Sequence, residues 1–128
     1  MQTQVTTTTP GHIVVMLYDG AITFLEQAKE EINAKHYAQK GILISQALDI
    51  IAELDGSLNA EKGGEISQNL HKLYMYCNSR LLMGNLKMDI TLIDEVVGIL
   101  SSLRSAFAEI IKTQPHPAPP RAAAYYAR

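Results

Sequence analysis

The sequence predicts an all-α protein, an antiparallel four-helix bundle with a short N-terminal segment ahead of it and a flexible Pro-rich C-terminal tail. Three observations predict it. Four stretches carry apolar residues at three- and four-residue spacing, none alternates as a strand would, and the breaks between them are short. Helices of about 22 to 26 residues with short connections can hide their stripes only against antiparallel neighbours, in a bundle about 35 Å long. At 128 residues, 47% of them hydrophobic, the chain can bury a core without cross-links. We expect the bundle over residues 1–113 and a Pro/Ala/Tyr-rich, disordered tail over 114–128.

The first helix begins in TTTTPGHIVVMLYDGAI, with Thr9 as N-cap and Pro10 at the first helical position, and runs to about Ala34. Val14, Leu17, Tyr18, Ala21, Phe24, Leu25, Ala28 and Ile32 form its stripe. Gly20 costs up to roughly 1 kcal/mol against alanine at mid-helix, so either another backbone approaches closely there or the glycine is simply tolerated. The second helix, about Tyr37 to Leu58, carries Tyr37, Ile44, Leu48, Ile51 and Leu58 on one row. Leu43, Ala47, Ile50 and Leu54 make an adjacent row.

Asn59 to Gly64 reads as a break, ending in two glycines. The third helix, about Glu65 to Leu86, places Ile66, Leu70, Leu73, Tyr74, Cys77 and Leu81 on one face and Met75, Leu82 and Leu86 on a second. Asp89 caps the fourth helix, whose main stripe is Ile93, Val96, Val97, Leu100, Leu103, Phe107, Ile110 and Ile111, with Leu92, Ile99 and Ala106 beside it. The helix stops before Pro115, because a residue preceding proline is pushed out of helical geometry.

Composition excludes several classes. With 11 Lys and Arg against 13 Asp and Glu, thinly spread, there is no basic stripe for nucleic acid. No apolar run approaches the roughly eighteen residues of a membrane span, so no membrane insertion is expected. Met1-Gln2-Thr3-Gln4 gives no secretory leader, and the single cysteine fits a reducing cytoplasm.

Chemistry is equally sparse. No glutamate has a histidine three residues on, as a di-iron bundle requires, and no His-Glu-x-x-His motif occurs. His12, His36, His71 and His116 fall at a helix start, a turn, a helix surface and the tail. Cys77 lies on the core stripe and reads as a small buried hydrophobe. Gly63-Gly64 lacks the strand and lysine of a phosphate loop, and Glu65 would repel an anion. The expectation is no catalytic residue, no metal and no cofactor.

Surplus apolar surface is what remains. Three of the four helices carry a second row beside the one that a bundle core requires. Burying a leucine is worth roughly 1.5–3 kcal/mol, so such rows point to a groove that receives a partner's amphipathic helices. Met75 and Met83 suit adaptable packing there. The alternative is a self-associating structural or regulatory bundle, whose extra rows form a homodimer interface.

Certain segments carry a family resemblance: QVTTTTP (Gln4–Pro10), MLYDGAI (Met16–Ile22), LDGSLNAEKGGEISQNLHKLYMY (Leu54–Tyr76), Asn85 followed by Asp89, and LIDEVVGIL (Leu92–Leu100). The chain resembles the flagellin export chaperones of the FliS family over about residues 4 to 112. The resemblance implies a cytoplasmic, ATP-independent helical bundle without enzymatic activity. It would bind the C-terminal segment of flagellin, prevent premature filament assembly, and help present the subunit to the export gate of the flagellar type III apparatus. It also implies that Gln2 to Thr9 fold over part of the empty groove. Phe107 departs from the family pattern, which commonly has tryptophan there. On this reading Leu43, Ile50, Leu54, Met75, Leu82, Leu92 and Ile99 line the client-binding groove, Tyr18 and Asp19 organise the bundle, and the chain is a monomer or weak homodimer.

Overall fold

Residues 10–58 and 60–113 are described by a computed structural model, and they form helices α1 (Pro10–Asn33), α2 (Tyr37–Gly56), α3 (Ala60–Lys87) and α4 (Ile90–Thr113). The expected Thr9 cap, the Gln2–Thr9 segment and the tail lie outside the described residues. Side-chain pairs fix the helix directions. Asp19 meets Arg104 and Lys29 meets Asp94, so α1 and α4 run antiparallel. His71 meets Asp55 and Asn85 meets Lys40, so α2 and α3 do the same. The helices stand in a ring in chain order: α1 touches α2 and α4, α3 touches α2 and α4, and the remaining pairs lie on diagonals.

The ring is uneven. α1 packs closely on both neighbours, while α3 is held more loosely by its own. Small residues permit the close side: Ala21, Ala28 and Ala47 are fully buried. A Cβ on Gly20 would lie 3.3 Å from Ile50 Cδ1, so close approach is real, but the neighbour is a side chain rather than another backbone.

Helix ends follow local chemistry. At the end of α1, His36 N–H reaches Glu31 C=O and Lys35 N–H reaches Ile32 C=O, with Lys35 at φ 63°. This is the paired 6→1 and 5→2 pattern that normally recruits glycine, here carried by lysine. Met88 (φ 52°) ends α3 with the 6→1 bond of that pattern, from Asp89 N–H to Gly84 C=O at 2.9 Å. Asp89 then serves α4, as expected, accepting from Thr91 N–H and Thr91 Oγ1.

Two boundaries differ from expectation. Helix α2 stops at Gly56, because Ser57 turns back through its N–H to Glu53 and its Oγ to Leu54. Helix α3 starts at Ala60 rather than Glu65, and the diglycine survives as a kink inside it: Gly64 has φ 53° and ψ −125°. The helix before the kink fills what the composition presented as a loop.

The core joins all four helices through Tyr18, Leu25, Ile44, Ile51, Leu54, Tyr74, Cys77, Leu81, Ile93, Val96 and Leu100. At its centre Tyr18 and Tyr74 meet across a diagonal, hydroxyl to hydroxyl at 2.5 Å, so two buried phenols satisfy each other. Burial first, and then the Tyr74 bond, drive the Tyr18 phenol far above its ordinary range. The Phe107 ring lies 5.6 Å from the Tyr18 ring, an aromatic neighbour at the position where tryptophan was the family expectation. Burial, and secondarily Glu95, push the Cys77 thiol up to about 11, which leaves it protonated and a weak nucleophile at neutral pH.

Candidate functional site

Large apolar side chains left in water gather on one helix. Ile66, Met75, Tyr76, Leu82, Met83 and Leu86 are all exposed on α3, Leu82 at 57% and Leu86 at 76%. The loosely held helix is therefore also the greasy one. Its two edges border two seams, one against α2 and one against α4.

Polar pairs clip the α2–α3 seam at both ends. His71 Nδ1 lies 2.8 Å from Asp55 Oδ1, and a carboxylate oxygen can only accept, so the ring donates. At the other end Lys40 Nζ donates to Asn85 Oδ1 at 2.6 Å and to Asn85 C=O at 3.1 Å. Lys40 is buried, its ammonium held by those acceptors while its stem lines the seam. Between the clips α3 supplies Met75 and Leu82. The edge of α2 supplies Gly41, Ser45, Leu48 and Ala52, which share one flank at helical spacing. Three of those four are small, and Ser45 and Ala52 are exposed. Beyond the Asp55–His71 clip it widens into a cleft of about 460 Å³, lined by Asp55, Leu58, Ser67, Gln68, His71 and Lys72.

The α3–α4 seam is bridged at mid-length. Glu95 accepts from the Tyr76 hydroxyl and, at 2.8 Å, from Arg80 Nε. The Arg80 guanidinium lies 5.6 Å over the Tyr76 ring. The Tyr76 bond, then the Arg80 bond, hold the Glu95 carboxyl below the usual range, and the same bond to Glu95 raises the Tyr76 phenol. Leu92 sits against α3, its Cβ 3.3 Å from where a Gly84 side chain would begin. Ile99, seven residues on and so on the same edge, is half-buried against the core.

The seven groove residues expected from sequence therefore divide. Met75 and Leu82 stand exposed on the α2 edge of α3, and Leu92 and Ile99 line the α4 edge of the second seam. Leu43 and Leu54 are core, at 6% and 2% exposure, and Ile50 packs against Gly20 of α1. The second apolar row of α2 is not surplus, because close packing on α1 consumes it. Tyr18 lies in the core, and Asp19 forms a surface pair with Arg104 at 2.8 Å. Leu86, Tyr76 and the two clips were missed as site features. The heptad spacing of His71 and Asn85 with their α2 partners was readable only once the register was known.

Among the described residues, no group of three or more His, Cys, Asp or Glu could hold a metal ion, and no helix is long and apolar enough to cross a membrane.

The family model for the flagellar protein FliS matches residues 1–114. The chain belongs to the FliS family. Among FliS relatives, the flagellar secretion chaperone of Salmonella typhimurium is 38% identical over 111 residues, covering 86% of this chain and 82% of that one. The Pseudomonas aeruginosa chaperone FliSB is 35% identical over 107 residues, covering 84% of this chain and 85% of its own. The Bacillus subtilis chaperone is 32% identical over 113 residues, covering 88% and 84%. Membership in FliS carries a flagellar secretion chaperone role. The four-helix bundle is the fold on which that role is built here.

Proposed function

We propose that this chain is a cytosolic chaperone for the C-terminal segment of flagellin. It holds that segment along the two edges of α3, keeps it from assembling prematurely, and delivers the subunit to the export gate of the flagellar type III apparatus. The observation that supports the reading is the apolar surface of α3, where Met75 and Leu82 stand in water between the polar clips and Leu86 just beyond the second. A segment that folds on binding gives up roughly 2–5 kcal/mol in ordering, and apolar contacts along a helix-length groove can offset that. Polar residues at the rims set which segment fits.

Sedimentation of the chain alone and with a flagellin C-terminal peptide tests it. The expected result is a monomer that becomes a 1:1 complex, and flagellin truncated at its C-terminus should fail to be pulled down. A tight dimer indifferent to the peptide would instead assign the α3 surface to self-association.

A further inference from the structure

His71, Asn78 and Asn85 follow one another at seven-residue spacing, so they lie along one edge of α3. The outer two identify that edge as the one facing α2, since each finds a partner there, Asp55 for His71 and Lys40 for Asn85. The middle one does not. Asn78 Oδ1 is buried and, among the described residues, meets no hydrogen-bond donor. A buried amide oxygen without a donor is uncommon and unfavourable, and an isolated case inside a binding surface calls for a reason.

Its surroundings supply one. Met75 and Leu82, three residues before and four after, flank Asn78 on the same side of α3, and both are exposed. An unbranched methionine and a leucine already standing in water can change rotamer at little cost, so the strip beside Asn78 can adapt to an incoming segment. The two ends of the seam are already tied to α2 through His71 and Asn85. Its centre offers a buried acceptor, Asn78 Oδ1, beside the apolar Met75 and Leu82.

We infer that Asn78 sets the register of the bound segment, its Oδ1 accepting a hydrogen bond from an amide or hydroxyl side chain carried on the segment's apolar face. The inference rests on the flagellin reading above and adds to it the residue that fixes position. The physics is that of a single polar residue in a coiled-coil seam: apolar contacts tolerate a slip of one turn, whereas a buried polar pair is made in one alignment only. Slipping by a turn would leave both the donor and Asn78 unmatched.

The test uses the full chain and a flagellin C-terminal peptide carrying a photo-cross-linker near one end. The wild type should give one cross-linked position. Asn78→Leu should spread the cross-links over positions a helical turn apart and weaken binding about tenfold, while Asn78→Asp, which keeps an acceptor, should retain the single position. One cross-linked position in Asn78→Leu, at any affinity, overturns the inference. With the wild type alone, replacing each polar residue of the peptide by an apolar isostere should reveal one position worth about tenfold in affinity. Finding none overturns the inference however the variants fold. Should the wild type bind no flagellin peptide at all, the flagellin reading itself fails and this inference falls with it.

Discussion

Replacing Leu82 and Leu86 together by glutamate should abolish client binding while leaving the bundle intact. Complete burial of a leucine is worth roughly 1.5–3 kcal/mol, and the two side chains are 57% and 76% exposed in the free chain. The part still to be gained on binding is therefore about 1–2 kcal/mol each, or roughly 2–4 kcal/mol for the pair. That matches the roughly 2–5 kcal/mol that ordering a disordered segment consumes, so removing it leaves little net affinity. Glutamate adds the desolvation of a carboxylate against an apolar partner. The expected loss in calorimetric affinity for a flagellin C-terminal peptide is at least about 100-fold, equivalent to roughly 2.7 kcal/mol. Both positions already face water, so the melting temperature and helical circular dichroism should hardly move. Binding within threefold of wild type, by a double variant that still melts normally, would refute the assignment of the α3 edge. The contrast is Leu54→Glu, which buries a charge in the core at a position only 2% exposed and should unfold the chain before any binding is measured. Ile99→Glu falls between the two, because its half-buried side chain also packs on the core.

Other consequences follow from single contacts. Lys35→Gly and Met88→Gly should each raise stability by about 1 kcal/mol, seen as a higher midpoint in thermal or urea unfolding, because both residues hold positive φ at helix C-termini. Tyr18→Phe should lower stability by about 1–3 kcal/mol by stranding the Tyr74 hydroxyl, and adding Tyr74→Phe should recover part of the loss, a non-additivity read from a double-mutant cycle. Glu95 has its carboxyl depressed by Tyr76 and Arg80, so the stability it contributes is present above the unfolded-state value and is lost as pH falls through the lower folded one. Glu95→Gln should accordingly flatten the acid limb of a stability profile below about pH 4.5 and leave the neutral region's slope unchanged.

Sequence carried the bundle because periodicity and turn chemistry are local. The stripe from Val14 to Ile32 and the acid cap at Asp89 are each decided within a few residues, and each is found where expected. What sequence could not carry was the unevenness of the ring. Leu43 and Leu54 look as surplus as Leu82 when only helical spacing is known, since all lie beside a core stripe. Which rows are consumed depends on distances between helices, set by the small residues of two helices at once: Gly20 and Ala21 with Ala47 draw α1 onto α2. The paired phenols and the Lys40–Asn85 clip were hidden for the same reason, their partners lying 56 and 45 residues apart in the chain.

The same unevenness reconciles two demands that pull against each other. A chaperone needs apolar surface in water, yet a bundle gains its stability by removing such surface from water. Here α1 is buried most tightly against α2 and α4, and fully buried residues of those three helices supply most of the core. The remaining helix contributes the inward stripe of Tyr74, Cys77 and Leu81 to that core, with Leu70 packed beside it. Its outer rows are then free to stay exposed, and polar pairs at His71, Arg80 and Asn85 tie it to α2 and α4. Filling the α2 flank with large residues, for instance Ser45→Leu with Ala52→Leu, would convert that arrangement into an ordinary closed bundle. Stability should rise as the seam fills, and affinity for the peptide should fall by the same contacts, because the strip left for a client would by then be covered by the chain itself.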